Sequence, residues 1–296
     1  MKKFSKMAAI ISFILIMVLL FTACGKKVST DVEENGDQPP ADTSQPPVDT
    51  DTEPTPVDDE SPKIKEIKQA GKIVLGTSAD YPPYEFHKEI DGKDTIVGFD
   101  IEIAKEIAKD LGVELEIKDM DFDGLLLALN AEKVDFVIAG MTPKPERDVE
   151  FSKIYYKALQ GILIHADNKD VYKTIDDLTG KRIGAQKGAI QEDLAKEEIK
   201  DLKLKALAKI PDLVLEVKHK KIDALVMEMP VAEAYAANND DLFLMPVELI
   251  DEEGGSAVAA KRGEKGLIDF ANKTLDRLEK DGSIERFVIE AVEMVE

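Results

Sequence analysis

Apolar segments short enough to be strands alternate with amphipathic segments of helical spacing over most of this chain, and this alternation limits the folds available to it. The apolar segments predict strands at 72–75, 113–117, 134–139, 159–164, 182–186, 224–227 and 256–260. The amphipathic segments predict helices at 99–111, 125–129, 174–178, 191–199, 230–237 and 267–278. Strands that alternate with helices of this length are typical of βαβ units and a parallel sheet.

The helix at 99–111 has the strongest single pattern. Ile103, Ile107 and Leu111 are spaced four apart and so share one face, and Gly112 is a residue type that commonly ends helices. The βα units form two series in tandem, which predicts two α/β lobes with a cleft between them. Since ligands bind beyond the carboxyl ends of strands in such sheets, the residues that follow each strand are the candidates for a binding site.

The amino-terminal residues have the features of an export signal. Three lysines precede an apolar run at 7–21, and Cys24 follows small residues. The run is shorter than the ~20 residues that span a bilayer comfortably. We therefore expect a signal peptide at 1–23 and a lipid such as palmitate on Cys24. An uncleaved signal anchor that leaves Cys24 unmodified is the alternative.

Residues 24–62 are rich in Pro, Asp, Thr and Glu and contain almost no large apolar side chain. Such a segment cannot bury enough surface to offset the entropy that ordering would cost. Its prolines stiffen it and its like charges extend it. We expect a disordered acidic tether between a lipid anchor and a folded body that starts near Lys63.

The composition argues against several classes of function. The 296-residue chain has a formal net charge of -21, whereas nucleic-acid binding needs basic patches. Its single cysteine permits no intrachain disulfide. The histidines, His87, His165 and His219, are scattered without the spacing of metal ligands. We expect no nucleic-acid partner, no metal and no cofactor.

The loop after the first strand, residues 76–86, places aromatic residues on both sides of a Pro-Pro pair. A loop that proline makes rigid loses little entropy when a ligand binds, which suits the wall of a binding site. The candidates here are Ser78, Asp80, Tyr81 and Tyr84. The alternative is a turn whose aromatic rings pack on the core of the lobe.

The loop after the strand at 134–139 contains Gly140, Met141 and Thr142. Arg147 lies five residues after Thr142, and two prolines stand between them. Gly140 lets a ligand approach the backbone, and Thr142 offers a hydroxyl and an N–H. The planar guanidinium of Arg147 matches a carboxylate through two parallel hydrogen bonds. A surface arginine paired with a neighbouring acid is the alternative.

Two further candidates lie in the second series. The turn that contains Gln186, Ala189 and Ile190 joins a strand to a helix, where free N–H groups attract anions. Glu228 directly follows the strand at 224–227 and could neutralise an ammonium group across the cleft. An ordinary tight turn and a solvated strand-end acid are the respective alternatives.

Taken together, these segments resemble the extracellular solute-binding proteins of ABC importers, polar amino-acid family, from about Ile64 to the end of the chain. The segment at 76–86 is similar to the first-strand motif of that family, and 98–101 and 122–125 are similarly placed signatures. Residues 139–142 with Arg147 carry the most specific match.

The resemblance implies a periplasmic-binding-protein-like α/β fold of two lobes, each a mixed sheet flanked by helices. It implies two crossing segments between the lobes, near 158–162 and 245–248. The lobe limits that follow are 63–160 and 248–296 for lobe 1 and 161–247 for lobe 2.

The resemblance also implies roles for individual residues. Arg147 would bind the α-carboxylate of an amino acid with help from Thr142. The carbonyl of Gly140 and the carboxylate of Glu228 would bind its α-ammonium group. Phe122 and the other candidates would line the same cleft.

Three positions depart from the pattern of the family. Glu228 stands where members more often carry Asp. Ala189 stands where many carry a Thr that supports the carboxylate, and Ser78 where members for cationic amino acids often carry an acid. The identity of the amino acid is therefore open.

We expect a monomeric substrate-binding lipoprotein that is not an enzyme. It would capture a free polar L-amino acid and deliver it to ABC permease subunits at the outer face of the cytoplasmic membrane. A cleft enzyme on the same fold, such as an arogenate or cyclohexadienyl dehydratase, is one alternative, with Glu228 as its acid or base. A sensory ligand-binding module is another.

Overall fold

The computed structural model describes residues 61–249 and 254–295. The predicted signal peptide, Cys24 and nearly all of the predicted tether lie outside the described residues. The strands are β1 Lys72–Thr77, β2 Asp80–Tyr81, β3 Glu85–Ile90, β4 Lys93–Val97, β5 Glu114–Asp119, β6 Phe136–Val137, β7 Val149–Tyr156, β8 Gln160–His165, β9 Arg182–Gln186, β10 Lys203–Leu207, β11 Ala224–Glu228, β12 Leu242–Leu244 and β13 Ser256–Lys261.

The helices are α1 Pro62–Ala70, α2 Phe99–Leu111, α3 Leu125–Asn130, α4 Gln191–Glu198, α5 Ile210–Lys218, α6 Met229–Ala237, α7 Lys265–Lys280 and α8 Ser283–Val295. Short 3-10 helices lie at Phe122–Gly124, Ala166–Asn168 and Ile175–Leu178. Within the described ranges, no helix is long and apolar enough to cross a membrane.

The first lobe is built on a mixed sheet with the strand order β5-β1-β6-β13-β7. β1 pairs in parallel with β5 and β6, and β13 runs antiparallel to β6 and β7. Apolar side chains of α1, α2, α7 and α8 share one core with this sheet, and those of α3 join a second cluster that includes Val137 and Ala259. Both faces of the sheet are therefore covered.

The second lobe is built on a sheet with the order β10-β9-β11-β8-β12. Here β9 is parallel to β10 and β11, while β8 is antiparallel to β11 and β12. Side chains alternate across a strand, so Leu163 and Leu225 pack with α5 and α6, whereas Ile162 and Val226 pack with α4. The predicted two-lobed α/β fold with mixed sheets is confirmed.

The helix with the strongest sequence pattern has the predicted limits. α2 ends where Gly112 takes a left-handed conformation, with φ 73°, and its N–H bonds the carbonyls of Ala108 and Lys109. Ile103, Ile107 and Leu111 are buried as their spacing predicts. α1 begins at Pro62 with Ser61 as its N-cap, so the last two residues of the predicted tether belong to the start of this helix.

Two passages connect the lobes. β7 ends at Tyr156 in the first sheet and β8 begins at Gln160 in the second, so the first passage lies at the start of the predicted segment 158–162. The second lies between Leu249, whose N–H bonds the Gln160 carbonyl at 2.9 Å, and β13, and residues 250–253 of it lie outside the described residues. β13 is back in the first sheet. The finer lobe limits stay predictions.

Several elements were not predicted from the sequence. The hairpin β3–β4 and the short β2 form a three-stranded sheet of their own, and Pro82-Pro83 within it is a cis peptide. β7, β10, α5, β12, α1 and α8 were also missed. The sheets are mixed, as the resemblance implies, because strands of antiparallel direction join each tandem series.

Candidate functional site

The carboxyl ends of strands from both sheets meet across one cleft. The main-chain N–H of Glu228, at the end of β11, donates to the Tyr81 hydroxyl at 3.0 Å. The N–H of Ile210 donates to Oδ2 of Asp80 at 3.0 Å, and Nη2 of Arg147 donates to the Gly188 carbonyl at 3.0 Å. The two lobes are therefore in direct contact in this conformation.

A small cavity in the cleft brings together most of the predicted site residues. Its volume is about 10 Å³, which is the space of a single water molecule. The predicted residues that line it are Tyr81, Phe122, Gly140, Thr142, Arg147, Gln186, Ala189 and Ile190, joined by Ala139 and Gln191. Residues from both lobes thus meet at one point, as the resemblance implies.

Arg147 is half-buried at this point and is not an ordinary surface arginine. Its guanidinium donates to the carbonyls of Thr142 and Gly188 and lies 5.9 Å from the centre of the Phe122 ring. Burial lowers the pKa of Arg147, and the charges of Glu146 and Asp193 oppose that shift. An arginine held against carbonyls of both lobes can bind an anion in the cleft.

The turn at Gly140 brings main-chain groups to the same point. Gly140 has φ 55°, and a Cβ there would lie 3.5 Å from the rings of Tyr81 and Tyr84. Its N–H donates to Oδ2 of Asp100 at 2.8 Å. The left-handed backbone favours glycine at this position, whereas the rings leave an ordinary contact distance for a Cβ.

Three predicted residues line neither this cavity nor the larger one described next: Tyr84, Met141 and Glu228. Tyr84 is fully buried, with its ring centre 4.4 Å from that of Phe99, so its ring belongs to the core. Met141 is 1% exposed and also packs in the core. Glu228 is 2% exposed, at the junction of β11 and α6. For Tyr84 the alternative of core packing describes the side chain, and Met141, predicted as a site residue, is also a core residue.

A larger cleft of about 530 Å³ is lined by residues that neighbour those of the small cavity in the chain. Asp80 and Asp121 line the larger cleft, whereas the next residue in each case, Tyr81 or Phe122, lines the smaller one. The residues of the larger cleft are Ser78, Ala79, Asp80, Pro82, Phe86, His87, Asp119, Met120, Asp121, Lys209, Pro211 and Tyr235. Three of them are aspartates, so the wall is acidic.

The aspartates of this wall differ in their bonding. Oδ1 of Asp119 accepts the N–H of Ala79 at 2.8 Å. Asp121 lies 3.9 Å from the ammonium of Lys209. Burial raises the pKa of Asp80 to about 6, although the N–H of Ile210 and the hydroxyl of Ser78 bond its carboxylate.

Sequence reasoning missed Asp119, Asp121 and Tyr235. Asp119 ends β5 and Asp121 follows it, so the rule that ligands bind beyond strand ends could have found both. Tyr235 lies on α6, and no local pattern marks it as a cleft residue. Among the described residues, no cluster of His, Cys, Asp and Glu could hold a metal ion.

Two lobes that close on each other, with an arginine, a glycine turn and an acidic wall between them, define a ligand-binding protein of the two-lobed class. The profile of the bacterial extracellular solute-binding proteins, family 3, matches residues 73–290. The chain belongs to this family.

Two curated relatives show how similar this chain is to other binding proteins. The arginine-binding extracellular protein ArtP of Bacillus subtilis is 42% identical over 221 residues, which cover 73% of this chain and 84% of that protein. A probable histidine-binding protein of Campylobacter jejuni is 34% identical over 212 residues, covering 71% of this chain and 80% of the relative.

Solved structures have the same fold. An amino acid ABC transporter substrate-binding protein from Streptococcus pneumoniae, bound to L-arginine, superposes with a TM-score of 0.75 at 35% identity, covering 78% of this chain and 98% of that one. The ancestral amino acid-binding protein AncCDT-1, described as a precursor of cyclohexadienyl dehydratase, superposes with a TM-score of 0.69 at 33% identity, covering 77% and 99%.

Proposed function

We propose that this protein is the substrate-binding component of an ABC importer and that it captures a cationic amino acid, arginine foremost, between its two lobes. Membership of the solute-binding family supports the import role. The relative named as arginine-binding and the neighbour solved with L-arginine support the choice of ligand. We propose further that the protein is a binding protein without catalytic activity and acts as a monomer.

The observation that carries the proposal is the order of charges along the cleft. Arg147 lies at the small cavity, and the three aspartates line the larger cleft, where Asp80 and Asp121 directly precede the cavity residues Tyr81 and Phe122 in the chain. An amino acid with a long cationic side chain has the complementary order, with its carboxylate at one end and its positive charge at the other. Burial of each charge is tolerable only where it is paired and hydrogen-bonded.

In this proposal the α-carboxylate of the ligand binds Arg147 and Thr142. Its α-ammonium group binds the Gly140 carbonyl and the carboxylate of Glu228, which lines neither cavity in the present conformation and must be uncovered when the lobes part. The present cavity of about 10 Å³ is too small for an amino acid. The lobes must therefore part for the ligand to enter, and the guanidinium of Arg147 must exchange a carbonyl partner for the carboxylate. Closure over the ligand then forms the shape that a permease recognises.

The larger cleft receives the side chain. Its aspartates create a negative potential that attracts a guanidinium or ammonium group. The aromatic residues Phe86 and Tyr235 line the same space and can cover the aliphatic part of the side chain. The wall holds three aspartates against one lysine, Lys209, which lies 3.9 Å from Asp121, and this excess of negative charge favours a cationic side chain over a neutral one.

Calorimetric titration of the full chain with arginine, lysine, histidine and glutamine tests the proposal. We expect micromolar affinity for arginine, which corresponds to about 8 kcal/mol, and weaker binding of glutamine. Arg147→Ala removes a charge-assisted partner of the carboxylate and should lower the affinity at least ~10-fold. Arg262→Ala is the matched control, because Arg262 is exposed and pairs with Asp148 outside both cavities.

Equal affinity of the two arginine variants would contradict the role of Arg147. The similarity to AncCDT-1 makes an enzyme the second candidate, with Glu228 as the acid or base. Incubation with arogenate or prephenate separates the two candidates, since product formation would favour the enzyme. Co-purification with a chemoreceptor or histidine kinase, instead of a permease, would favour a sensory module.

A further inference from the structure

Asp80 occupies an unusual position in the cleft, because its carboxylate lies at the beginning of a helix that belongs to the other lobe. Helix α5 starts at Ile210, and the N–H of Ile210 donates to Oδ2 of Asp80 at 3.0 Å. These residues are 130 positions apart in the chain. The contact therefore joins the first lobe to the second.

The amino terminus of α5 has no cap of its own. The residue in the N-cap position is Lys209, whose side chain makes no cap bond. Pro211 follows in the first turn and has no N–H. A helix start has N–H groups without intrahelical partners and a partial positive charge, and a carboxylate satisfies both. Asp80 does from the first lobe what an N-cap residue does from within a helix.

The carboxylate of Asp80 is held in position by its own lobe. Its N–H bonds the Ser78 carbonyl at 2.8 Å, and the Ser78 hydroxyl donates to Oδ1 at 3.4 Å. Asp80 also belongs to β2, which pairs with β3. The side chain is thus already aimed at the opposite lobe, so little entropy is lost when the contact forms.

Two neighbouring contacts join the same strand to the second lobe. The Tyr235 hydroxyl lies 3.5 Å from the Asp80 carbonyl, and the Tyr81 hydroxyl accepts the N–H of Glu228 at 3.0 Å. Residues 80 and 81 therefore make three separate hydrogen bonds to α5, α6 and the end of β11. Each of them would break when the lobes part.

We propose that Asp80 is a positioning residue that stabilises the closed form by capping α5 across the cleft, and that it is not the residue that distinguishes a charged ligand from a neutral one. This inference rests on the proposed capture of a ligand by lobe closure. It changes the role that the sequence predicted for Asp80, which was direct contact with the ligand. Asp119 and Asp121 are left as the groups that discriminate by charge.

Two substitutions separate the roles, because Asn caps a helix about as well as Asp and Ala does not. If Asp80 caps α5, Asp80→Ala lowers the affinity for arginine and for its neutral isostere citrulline by the same factor, about 3- to 30-fold. Asp80→Asn keeps both affinities within about 3-fold. Asp121→Ala is the control in the same wall, and it should lower the affinity for arginine more than the affinity for citrulline.

A second measurement tests closure without any ligand. Spin labels on Leu127→Cys and Val171→Cys, in a full chain that carries Cys24→Ser, report the distance between the lobes. Both positions are exposed, at 75% and 61%. We expect Asp80→Ala to shift the distance distribution towards longer values and Asp80→Asn to leave it close to that of the parent.

The outcomes are distinct. A selective loss of arginine affinity in both Asp80 variants would mean that Asp80 reads the charge of the ligand, and the inference would be wrong. An unchanged distance distribution in Asp80→Ala would also overturn it. If the parent protein closes through Asp80 but binds no amino acid, the proposed function fails while the role of Asp80 in closure stands.

Discussion

Two buried carboxyl groups, those of Glu85 and Asp100, lie behind the Gly140 turn. Asp100 accepts hydrogen bonds from the N–H of Gly140 and from the Tyr155 hydroxyl, each at 2.8 Å. Burial raises the pKa of Asp100 to about 6, opposed by these donors. Burial, and then the charge of Asp100, raise the pKa of Glu85 well above its ordinary value. Burial and the neighbouring charge of Asp100 thus both favour the neutral form of Glu85.

This arrangement predicts the effect of Glu85→Gln on stability. A carboxyl whose pKa is raised by folding must take up a proton above its unfolded pKa of about 4.5, so it costs stability as the pH rises. Gln is a neutral isostere without this cost. We expect Glu85→Gln to unfold at least about 2 °C above the parent at pH 7.5, with the difference vanishing near pH 4.5.

Thermal unfolding of the two proteins between pH 4 and 8 measures this difference. Glu89→Gln is the matched control, since Glu89 is exposed on the same strand, and its unfolding temperature should follow the parent at every pH. A Glu85→Gln protein that is less stable at pH 7.5, or a difference that does not depend on pH, would show that Glu85 is ionised in the fold.

At the scale of single elements, the carboxyl-terminal helix α8 is one of the elements that the sequence pattern did not indicate. Only Asp281 and Gly282 separate it from α7, and Gly282 has φ 72°. Its end is tied to other elements, because Lys88 of β3 bonds the Met294 carbonyl and Asn238, after α6, bonds the Val295 carbonyl. α8 therefore contacts both lobes.

Because one face of α8 is buried, we expect a large loss of stability when a side chain of that face is truncated to alanine. Phe287 is 8% exposed and belongs to the core of the first lobe. Phe287→Ala should cost about 3 kcal/mol through lost burial and a residual cavity. For a folded body of this size, that lowers the unfolding temperature by roughly 6–12 °C.

Ile289 supplies the comparison on the same helix, because it is 60% exposed. Ile289→Ala should change the free energy of unfolding by no more than about 0.5 kcal/mol. Calorimetric unfolding of both variants measures the two effects. Similar losses in the two would mean that α8 is not docked through the Phe287 face.

At the scale of the whole molecule, the sequence predicts different tasks for the described body and for the amino-terminal segment, which lies outside the described residues. The body has the family fold and no described helix that could cross a membrane. We propose that a lipid on Cys24 attaches it to the outer face of the cytoplasmic membrane and that the acidic residues 24–62 act as a tether. Like charges keep such a tether extended and the binding body accessible.

The mass of the intact protein, extracted from membranes of an expressing bacterium, tests the anchor. We expect a chain that begins at Cys24 and carries added acyl groups, and a Cys24→Ser protein that is not lipidated. Retention of Met1 with an unmodified Cys24 would favour the uncleaved signal anchor. Loss of Cys24 with the signal would mean that the protein is released without a lipid.

Local sequence was sufficient to predict several helices and strands of this protein, its family and its two-lobed fold. The spacing of Ile103, Ile107 and Leu111, followed by Gly112, was sufficient to predict the limits of α2. Both the burial of one helix face and the left-handed end depend on residues that are close in the chain. The order of motifs around Arg147 was sufficient for the family and the two-lobed fold. α5 was missed although Leu213, Val214 and Val217 have helical spacing, so a signal was present there.

Only the tertiary structure decided whether each candidate side chain lies in the core or in the cleft. Tyr84 and Met141 turn into the core, and Asp119 and Asp121 enter the cleft because β5 lies beside β1. The partner of Asp80 lies 130 residues away, on a helix of the other lobe. A contact of that kind depends on how two lobes meet, and the residues around Asp80 carry no information about it.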